Sequence, residues 1–323
     1  MSEPLQFHSV HYSAVAAGPR LIVLGAVHGN EVCGSAGIRR VIADFEAGRL
    51  ALARGSVTFV PVTNPLAHRK GERAGDRNLN RNFAPSDAPQ EFEDHVANWL
   101  APLLAAHDVL LDLHSFNAPG VPFAFLGPRD NELPLEPFAH AAREEALALR
   151  LGVGRFVDGW LATYALGVER RRARLGEGGD RQALLAADVR YGRGTTEYMR
   201  AHGGWALTLE CGQHADPQAA EVAYRAVVNT LAHLGLIDAA DPAPRQDFEA
   251  LSLYEVYDRL HPDDRFVRTF SSFDPVAAGE TVALRHDGTP LVAPEDGCIV
   301  FPNVNAPLGQ EWFYLARRSR RFG

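Results

Sequence analysis

The sequence LIVLGAVHGNEVCG, residues 21–34, joins an apolar run to a glycine-rich turn. The apolar run predicts a buried strand, and apolar residues at helical spacing between 31 and 47 predict a helix that ends at Gly48. His28 and Glu31 lie in the turn between them, and we expect the glycines to allow a sharp change of direction. Three interpretations are open at this point: a nucleotide-binding turn, half of a metal site, or an ordinary polar strand-to-helix turn.

Composition narrows the class of protein. The chain has 323 residues, of which 46% are hydrophobic and 22% charged, and its formal net charge is -8. This is typical of a globular protein with one large domain or two moderate ones. There is no basic stripe for nucleic acid and no apolar stretch long enough for a membrane span. We therefore expect neither partner, and a homo-oligomer stays open.

The N-terminus and the cysteines indicate a compartment. The first residues lack the basic region and apolar run of a signal peptide. The three cysteines are widely spaced and form no CxxC motif, which is typical of free thiols in a reducing environment and disfavours a zinc-thiolate site. We expect a cytoplasmic protein.

Residues 20–235 alternate between predicted strands and helices. Apolar strands separated by amphipathic helices predict an α/β fold with a mixed central sheet flanked by helices. Residues 155–200 show no clear pattern, and we expect long loops there. The predicted strands are 21–27, 56–62, 109–116 and 205–212, and the predicted helices are 31–47, 88–105, 136–151 and 217–235.

The pattern changes after a proline-rich polar stretch. Residues 251–315 form short alternating segments separated by turns such as HDG and PEDG, which predict a small all-β domain. We therefore predict a catalytic α/β domain at 1–237, a linker at 238–247 and a C-terminal β domain at 248–323.

Two predicted strands end in residues that can bind a metal. In α/β sheets, ligands bind at the carboxyl ends of the strands. Hydrolytic zinc commonly takes three protein ligands and leaves a position for water, and His28, Glu31 and His114 would form a His2Glu set. Asp112, two residues before His114, could orient a ligating imidazole. Alternatively, His28 caps the loop and Glu31 only stabilises the start of a helix.

A third predicted strand, in WALTLECG, ends in Glu210. A carboxylate at the end of a buried strand is costly unless it is paired or functional, and burial raises its pKa towards the range of a general base. Cys211 is a competing candidate as a nucleophile, although no motif supplies its base and buried cysteines are usually inert.

The loop NPLAHRKGERAGDRNLNRNF, residues 64–83, is rich in arginine and asparagine. Arginine binds carboxylates through two parallel hydrogen bonds and can stabilise an oxyanion. The loop therefore indicates a substrate with a carboxylate, and a solvated surface loop is the alternative. Elsewhere, Gly25, Gly29 and Gly34 do not form GxGxxG, and GxSxG is absent, so a dinucleotide site and a serine hydrolase are excluded.

Four motifs occur in a specific order: GAVHGNE, NP followed by GERAGDRNLNR, DLH, and TLECG. Together they resemble the aspartoacylase/succinylglutamate desuccinylase family, relatives of the zinc carboxypeptidases, and most closely its bacterial branch. The resemblance extends over most of residues 20–235, and the C-terminal β domain also fits it.

The resemblance implies a zinc-dependent hydrolase that removes an acetyl or succinyl group from an N-acyl amino acid, with one Zn²⁺ per chain. The implied roles are zinc ligands (His28, Glu31, His114), catalytic glutamate (Glu210), polarisation of the scissile carbonyl (Arg73), binding of the α-carboxylate (Asn80, Arg81), and further substrate contacts (Asn64, Arg200).

The sequence departs from this family at two points. In NLNR, Asn78 stands where the family usually has an acidic residue before Leu-Asn-Arg. Aspartoacylases also bring a tyrosine from the C-terminal domain to the substrate, and the C-terminal segment here has no clear match to it, since Tyr314 lies further along. These departures weaken the case for N-acetylaspartate as substrate. A zinc carboxypeptidase that acts on peptides and a non-catalytic metal- or carboxylate-binding module remain as alternatives.

Overall fold

The computed structural model describes residues 5–175 and 188–322. Its helices are α1 (Cys33–Glu46), α2 (Pro65–Lys70), α3 (Phe92–Ala105), α4 (Ala141–Ala148), α5 (Trp160–Leu175), α6 (Thr195–Ala201) and α7 (Ala219–His233), with a 3-10 helix at Val189–Gly192. Its first strands are β1 (Val10–Ser13), β2 (Arg20–Gly25), β3 (Ser56–Val60), β4 (Val109–Phe116), β5 (Phe123–Phe125), β6 (Arg155–Asp158) and β7 (Trp205–Gln213). The later strands are β8 (Glu249–Asp258), β9 (Arg265–Phe266), β10 (Pro275–Val276), β11 (Thr281–Leu284), β12 (Pro290–Val292), β13 (Gly297–Val300) and β14 (Glu311–Arg318).

One mixed sheet organises the described part of the chain. Its strand order is β1-β3-β2-β4-β7-β5-β6-β8-β14-β13-β10. Strands β3, β2, β4 and β7 pair in parallel, so their carboxyl ends meet at one edge. Strand β5 is antiparallel to β7 and restarts a parallel set with β6 and β8.

Alternation along β2 divides the core into two layers. Leu21 and Val23 belong to a cluster with α1 and α7, whereas Ile22 and Leu24 belong to a cluster with α3. Successive strand residues point to opposite faces, so a strand that is apolar at every position is covered on both sides. This arrangement confirms the predicted mixed sheet flanked by helices.

The least regular stretch of the sequence is more ordered than expected. Residues 155–200 contain β6, α5, the 3-10 helix and α6, and only residues 176–187 lie outside the described part. Leu161, Tyr164 and Val168 are buried on one face of α5 at helical spacing. The arginines that follow them concealed this short apolar stripe.

The C-terminal strands continue the central sheet. Strand β8 pairs in parallel with β6 and antiparallel with β14, while β9, β11 and β12 form a small separate sheet. The predicted β-rich C-terminal part is therefore present. The division at residues 238–247 into two independent domains stays a prediction from the sequence, and the pairing of β6 with β8 across it favours the opposite prediction that both parts unfold together. None of the described helices combines the length and apolar character that crossing a bilayer requires.

Candidate metal centre

The polar residues singled out from the sequence collect where β2, β4 and β7 end. His28 and Glu31 follow β2, His114 lies near the end of β4, and Glu210 lies on β7. The parallel register places His114 directly opposite Glu210. Strand pairing therefore brings together groups that are far apart in sequence.

The turn after β2 differs from the expectation in one respect. The left-handed backbone conformation falls on Ala26, with φ 47°, and not on a glycine. Gly29 serves close packing instead, because a Cβ atom there would lie 2.0 Å from the backbone carbon of Ala67. Glycine is therefore required in this turn for close approach and not for a positive φ, and the sequence cannot separate these two reasons.

His28, Glu31 and His114 form a compact buried group. The Nδ1 atoms of the two histidines are 3.2 Å apart. The carboxylate of Glu31 bridges them, with Oε1 2.9 Å from His28 Nδ1 and Oε2 2.8 Å from His114 Nδ1. All three side chains are at most 3% exposed.

This group fits a tetrahedral metal ion. Zinc–nitrogen bonds of about 2.0–2.1 Å place neighbouring ligand atoms about 3.3 Å apart, close to the spacing of these three donors. Within the described residues, these side chains form the group whose ligand atoms all lie within 4.8 Å of one another. Two imidazoles and a carboxylate also match the donors of hydrolytic zinc sites.

The far side of each imidazole faces an oxygen. His28 Nε2 lies 3.0 Å from Asn78 Oδ1, so the ring donates its proton there and leaves Nδ1 with a lone pair for a metal. His114 Nε2 lies 3.1 Å from Asp112 Oδ2, which also accepts a hydrogen bond from Thr195 Oγ1 at 2.5 Å. Such partners orient ligating histidines and raise their basicity.

The protonation states of the group are unequal. Burial and the positive charge of Arg73 lower the pKa of His28 to about 4. Burial alone would lower the pKa of His114, but Asp112 and Glu31 raise it well above its usual value. Burial would likewise raise the pKa of Glu31, yet the two histidines hold it well below its usual range.

Glu210 is a buried carboxylate with spare hydrogen-bonding capacity. It is 8% exposed, and its Oε2 is buried without a hydrogen-bond partner among the described residues. Burial raises the pKa of Glu210 to about 8. A carboxyl group in this state can exchange a proton near neutral pH. Cys211 beside it is completely buried and is not among the described residues that line the cavity.

The loop between α2 and α3 carries Arg73 to the metal group. Arg73 Nη1 donates to Glu31 Oε1 at 2.7 Å, and its side chain is half exposed. The loop is fixed by Glu93 of α3, which is completely buried. The Glu93 carboxylate accepts hydrogen bonds from the backbone N–H groups of Gly75, Asp76 and Arg77.

The other predicted loop residues have different surroundings. Asn64 is completely buried as the N-cap of α2, donates to Glu93 at 2.7 Å, and is not among the described cavity-lining residues. Asn80 Oδ1 accepts from the backbone N–H of Thr195 at 3.0 Å. The Arg81 guanidinium lies over the Trp160 ring, 5.1 Å from its centroid. Asn80 and Arg81 both line the cavity.

Arg200 lies in a cluster of carboxylates on the cavity wall. Its Nε donates to Glu144 at 2.8 Å and its Nη1 to Glu136 at 2.9 Å, and Glu197 lies 3.6 Å away. The remaining nitrogen donates to the carbonyl oxygen of Ala206. The structure thus brings Arg200 to the cavity with its charge already compensated.

A cavity of about 460 Å³ connects these groups. Its wall includes metal-group, loop and C-terminal residues: His28, Arg73, Asn80, Arg81, His114, Arg200, Glu210, Glu311 and Tyr314. Tyr314, which the sequence left in doubt, is buried with an unpartnered hydroxyl among the described residues. The volume is in the range of sites for small molecules.

Sequence reasoning missed three supporting residues: Asn78, Glu93 and Thr195. Glu93 had a visible signal, because it shares the apolar face of α3 with Val96, Ala97 and Leu100. A charged residue within such a stripe must find buried partners. Asn78 and Thr195 had no local signal, since their partners come from distant segments.

Residues 17–140 match the family model described as the succinylglutamate desuccinylase/aspartoacylase catalytic domain. The match includes His28, Glu31, the arginine-rich loop and His114, and it confirms the resemblance stated from the motifs. A comparison with the sequences of curated proteins gave no match.

Solved structures share the fold at low sequence identity. A succinylglutamate desuccinylase/aspartoacylase from Rhodobacter sphaeroides matches at 19% identity and TM-score 0.68, over 94% of this chain and 87% of that one. The product-bound ectoine utilization protein EutE (DoeB) from Ruegeria pomeroyi matches at 20% identity and TM-score 0.69, over 96% of this chain and 88% of that one. A succinylglutamate desuccinylase from Vibrio parahaemolyticus matches at 19% identity and TM-score 0.68, over 98% of this chain and 87% of that one.

Proposed function

We propose that this chain is a zinc-dependent amidohydrolase that removes the acyl group of an N-acyl amino acid. The observation that carries the proposal is the His28–Glu31–His114 group facing Glu210, whose carboxylate has an unpartnered oxygen. Metal donors and a buried base at adjacent strand ends are what hydrolysis by an activated water requires. The match of residues 17–140 to the family model supports the same activity.

The metal and the base have separate tasks. A zinc ion held by His28, Glu31 and His114 would supply a water of lowered pKa and polarise the scissile carbonyl. Glu210 accepts the proton of the attacking water on its free oxygen. The same carboxyl group then donates that proton to the leaving nitrogen, and its raised pKa favours both transfers at neutral pH.

The cationic side chains bind and polarise the substrate. Arg73 reaches Glu31 from a half-exposed position, so its guanidinium can also donate to the carbonyl oxygen as negative charge develops there. Asn80 and Arg81 bind the α-carboxylate in this proposal. We leave Asn64 and Arg200 out of the substrate contacts, because Asn64 caps α2 and Arg200 is engaged by carboxylates.

The test is a hydrolysis assay with purified, zinc-loaded protein on N-acetyl and N-succinyl amino acids, with peptides as competing substrates. We expect release of free amino acid from the N-acyl compounds, loss of activity after chelation, and recovery when zinc is returned. Preferential cleavage of peptides would favour the carboxypeptidase alternative. No turnover of either class by protein with full zinc occupancy would contradict the proposal.

The Glu210→Gln variant tests the assigned base. We expect it to keep one zinc per chain, measured by elemental analysis, and to lose about 10²–10⁴-fold in kcat, the usual contribution of general acid/base catalysis. Glu221→Gln on the surface of α7 is the matched control and should keep wild-type activity. A fully active Glu210→Gln enzyme would remove Glu210 from the mechanism.

A further inference from the structure

Three arginines line the cavity within the described part of the chain, and two of them already face carboxylates. Arg73 is bonded to Glu31. Arg200 is bonded to Glu136 and Glu144, which compensate its charge, and Glu197 lies beside it on the cavity wall. A second substrate carboxylate would meet repulsion there.

Arg81 is the cavity arginine whose guanidinium can still bind a carboxylate. Its guanidinium donates a hydrogen bond to the neighbouring backbone carbonyl of Asn80, and among the described residues no carboxylate oxygen lies within ion-pair distance of it. Glu311, on the cavity wall, forms an ion pair with Arg171 at 3.2 Å, and its charge also interacts with that of Arg81 at longer range. Among the described residues that line the cavity, Arg81 is therefore the arginine that has no carboxylate at ion-pair distance, and this matches a substrate with one carboxylate.

Aromatic side chains line the cavity beside Arg81. Phe116, Phe125, Trp160, Phe301 and Tyr314 all contribute to the wall. We call these five residues the aromatic wall. Neighbouring rings of this wall are close to one another. The ring centroids of Phe116 and Phe125 lie 5.8 and 6.0 Å from that of Phe301. The Trp160 centroid lies 6.0 Å from that of Phe125 and 5.4 Å from that of Tyr314. A flat apolar group can stack or pack edge-on against such rings.

The position of Trp160 indicates which part of the substrate would contact the aromatic wall. Its ring lies under the Arg81 guanidinium and also belongs to the aromatic wall. In an amino acid, the carboxylate and the side chain leave the same carbon. A substrate whose α-carboxylate is held by Arg81 therefore places its side chain next to Trp160.

We propose that the site selects N-acyl amino acids whose side chain is aromatic or otherwise apolar, with the α-carboxylate as their only anionic group. This inference rests on the proposed function, and it names the substrate class of that site. It predicts discrimination against aspartate- and glutamate-derived substrates.

Binding measurements test the selection without requiring turnover. Phenylalanine, alanine, asparagine and aspartate are titrated into the zinc-loaded protein by calorimetry. We expect phenylalanine to bind about tenfold to a hundredfold more tightly than alanine, the effect of burying one phenyl ring. Asparagine should bind more tightly than aspartate, which has nearly the same shape and differs in charge.

Hydrolysis of the N-acetyl derivatives of these four amino acids gives the second measurement. We expect kcat/KM to be higher for the phenylalanine than for the alanine derivative, and higher for the asparagine than for the aspartate derivative. N-benzoylglycine is included because it carries its ring on the acyl group. A preference for N-benzoylglycine without any preference for phenylalanine over alanine would overturn the assignment of the aromatic wall to the side chain.

Two kinds of variant locate the selectivity. Phe125→Leu and Phe301→Leu should each lower the phenylalanine-to-alanine ratio about threefold to tenfold, the contribution of one aromatic pair. Phe45→Leu is the matched control, because Phe45 stacks on Tyr12 outside the cavity-lining set. Glu197→Gln retains an acceptor for the Gly194 N–H at the start of α6 and removes one negative charge beside Arg200. It should raise the aspartate-to-asparagine ratio about threefold or more.

The outcomes separate this inference from the proposed function. Tighter binding of aspartate than of asparagine, or equal binding of phenylalanine and alanine, would overturn the selectivity even if N-acyl amino acids are hydrolysed. Selective binding of phenylalanine by a zinc-loaded protein that hydrolyses none of the derivatives would support the selectivity and contradict the amidohydrolase activity.

Discussion

His114 is the residue whose protonation state ties metal binding to pH. The negative charges of Asp112 and Glu31 outweigh its burial and raise its pKa, whereas His28 is neutral at pH 7 because its pKa lies at about 4. In the metal-free protein, His114 therefore holds a proton on Nδ1, the nitrogen that a metal must use.

Zinc binding at pH 7 should consequently release about one proton per chain from His114. Because the raised pKa keeps the metal-free site protonated, zinc affinity should increase by about tenfold per pH unit while the pH remains below that pKa. Calorimetric titrations of zinc in buffers with different ionisation enthalpies give the number of protons released. A proton count of zero, with affinity independent of pH, would contradict this assignment.

The His114→Ala variant should lose zinc. Removing one of three donors leaves only His28 and Glu31, so the remaining group binds metal weakly. Elemental analysis after dialysis measures the occupancy. His202→Ala changes an exposed histidine and should keep the wild-type zinc content; full occupancy in His114→Ala would remove His114 from the ligand set.

At the scale of elements, the loop between α2 and α3 depends on a helix that contributes none of the described cavity-lining residues. Glu93 on the buried face of α3 accepts three backbone hydrogen bonds from the loop and a fourth from Asn64. This carboxylate holds the segment that presents Arg73, Asn78, Asn80 and Arg81. The loop is therefore anchored as an extension of α3.

Glu93→Gln should weaken this anchor. The amide loses the negative charge and turns one acceptor into a donor that faces backbone N–H groups, so we expect a loss of about 2–4 kcal/mol in the free energy of unfolding. We also expect a lower kcat/KM at full zinc occupancy. Urea unfolding measures the stability, with His95→Gln on the exposed side of α3 as control. Unchanged stability and activity would show that Glu93 does not hold the loop.

Regular elements of the main sheet were predictable, while short or interrupted ones were not. The strand at β2 and the helix at α3 have continuous apolar patterns, and the structure contains both close to the predicted bounds. Strand β5 has only three residues and α5 ends in an arginine run, so neither gives a long periodic signal. The positive φ of Ala26 has no sequence signal, because alanine rarely adopts that conformation and glycines lie next to it.

At the scale of the whole molecule, the sheet joins the parts that the sequence suggested were separate. A buried cluster combines Phe116, Phe123 and Val157 with C-terminal residues such as Leu253 and Val300. Strand β8 also takes its parallel partner β6 from the N-terminal part. Separating the two would expose the cluster and leave a sheet edge unpaired.

We therefore expect the two parts to unfold in one cooperative transition. Variants that keep either Trp99 on α3 or Trp312 on β14 as the fluorescent tryptophan report on each part separately. Their urea transitions should coincide, as two-state unfolding requires. Two transitions with different midpoints would instead support independent domains on either side of residues 238–247.

The sequence by itself determined the fold class and the resemblance to one family, and it singled out the residues that we propose as metal ligands and base. These follow from local patterns: apolar periodicity sets strands and helices, and a histidine or glutamate that ends an apolar strand has few structural reasons to be there. Only the tertiary structure showed which arginines form ion pairs with neighbouring carboxylates. Arg200 and Arg81 look equally available in sequence, but Glu136 and Glu144 neutralise the first, whereas Trp160 lies under the second. Long-range packing chooses those partners, and electrostatic interactions depend on distance and burial that a linear pattern does not contain.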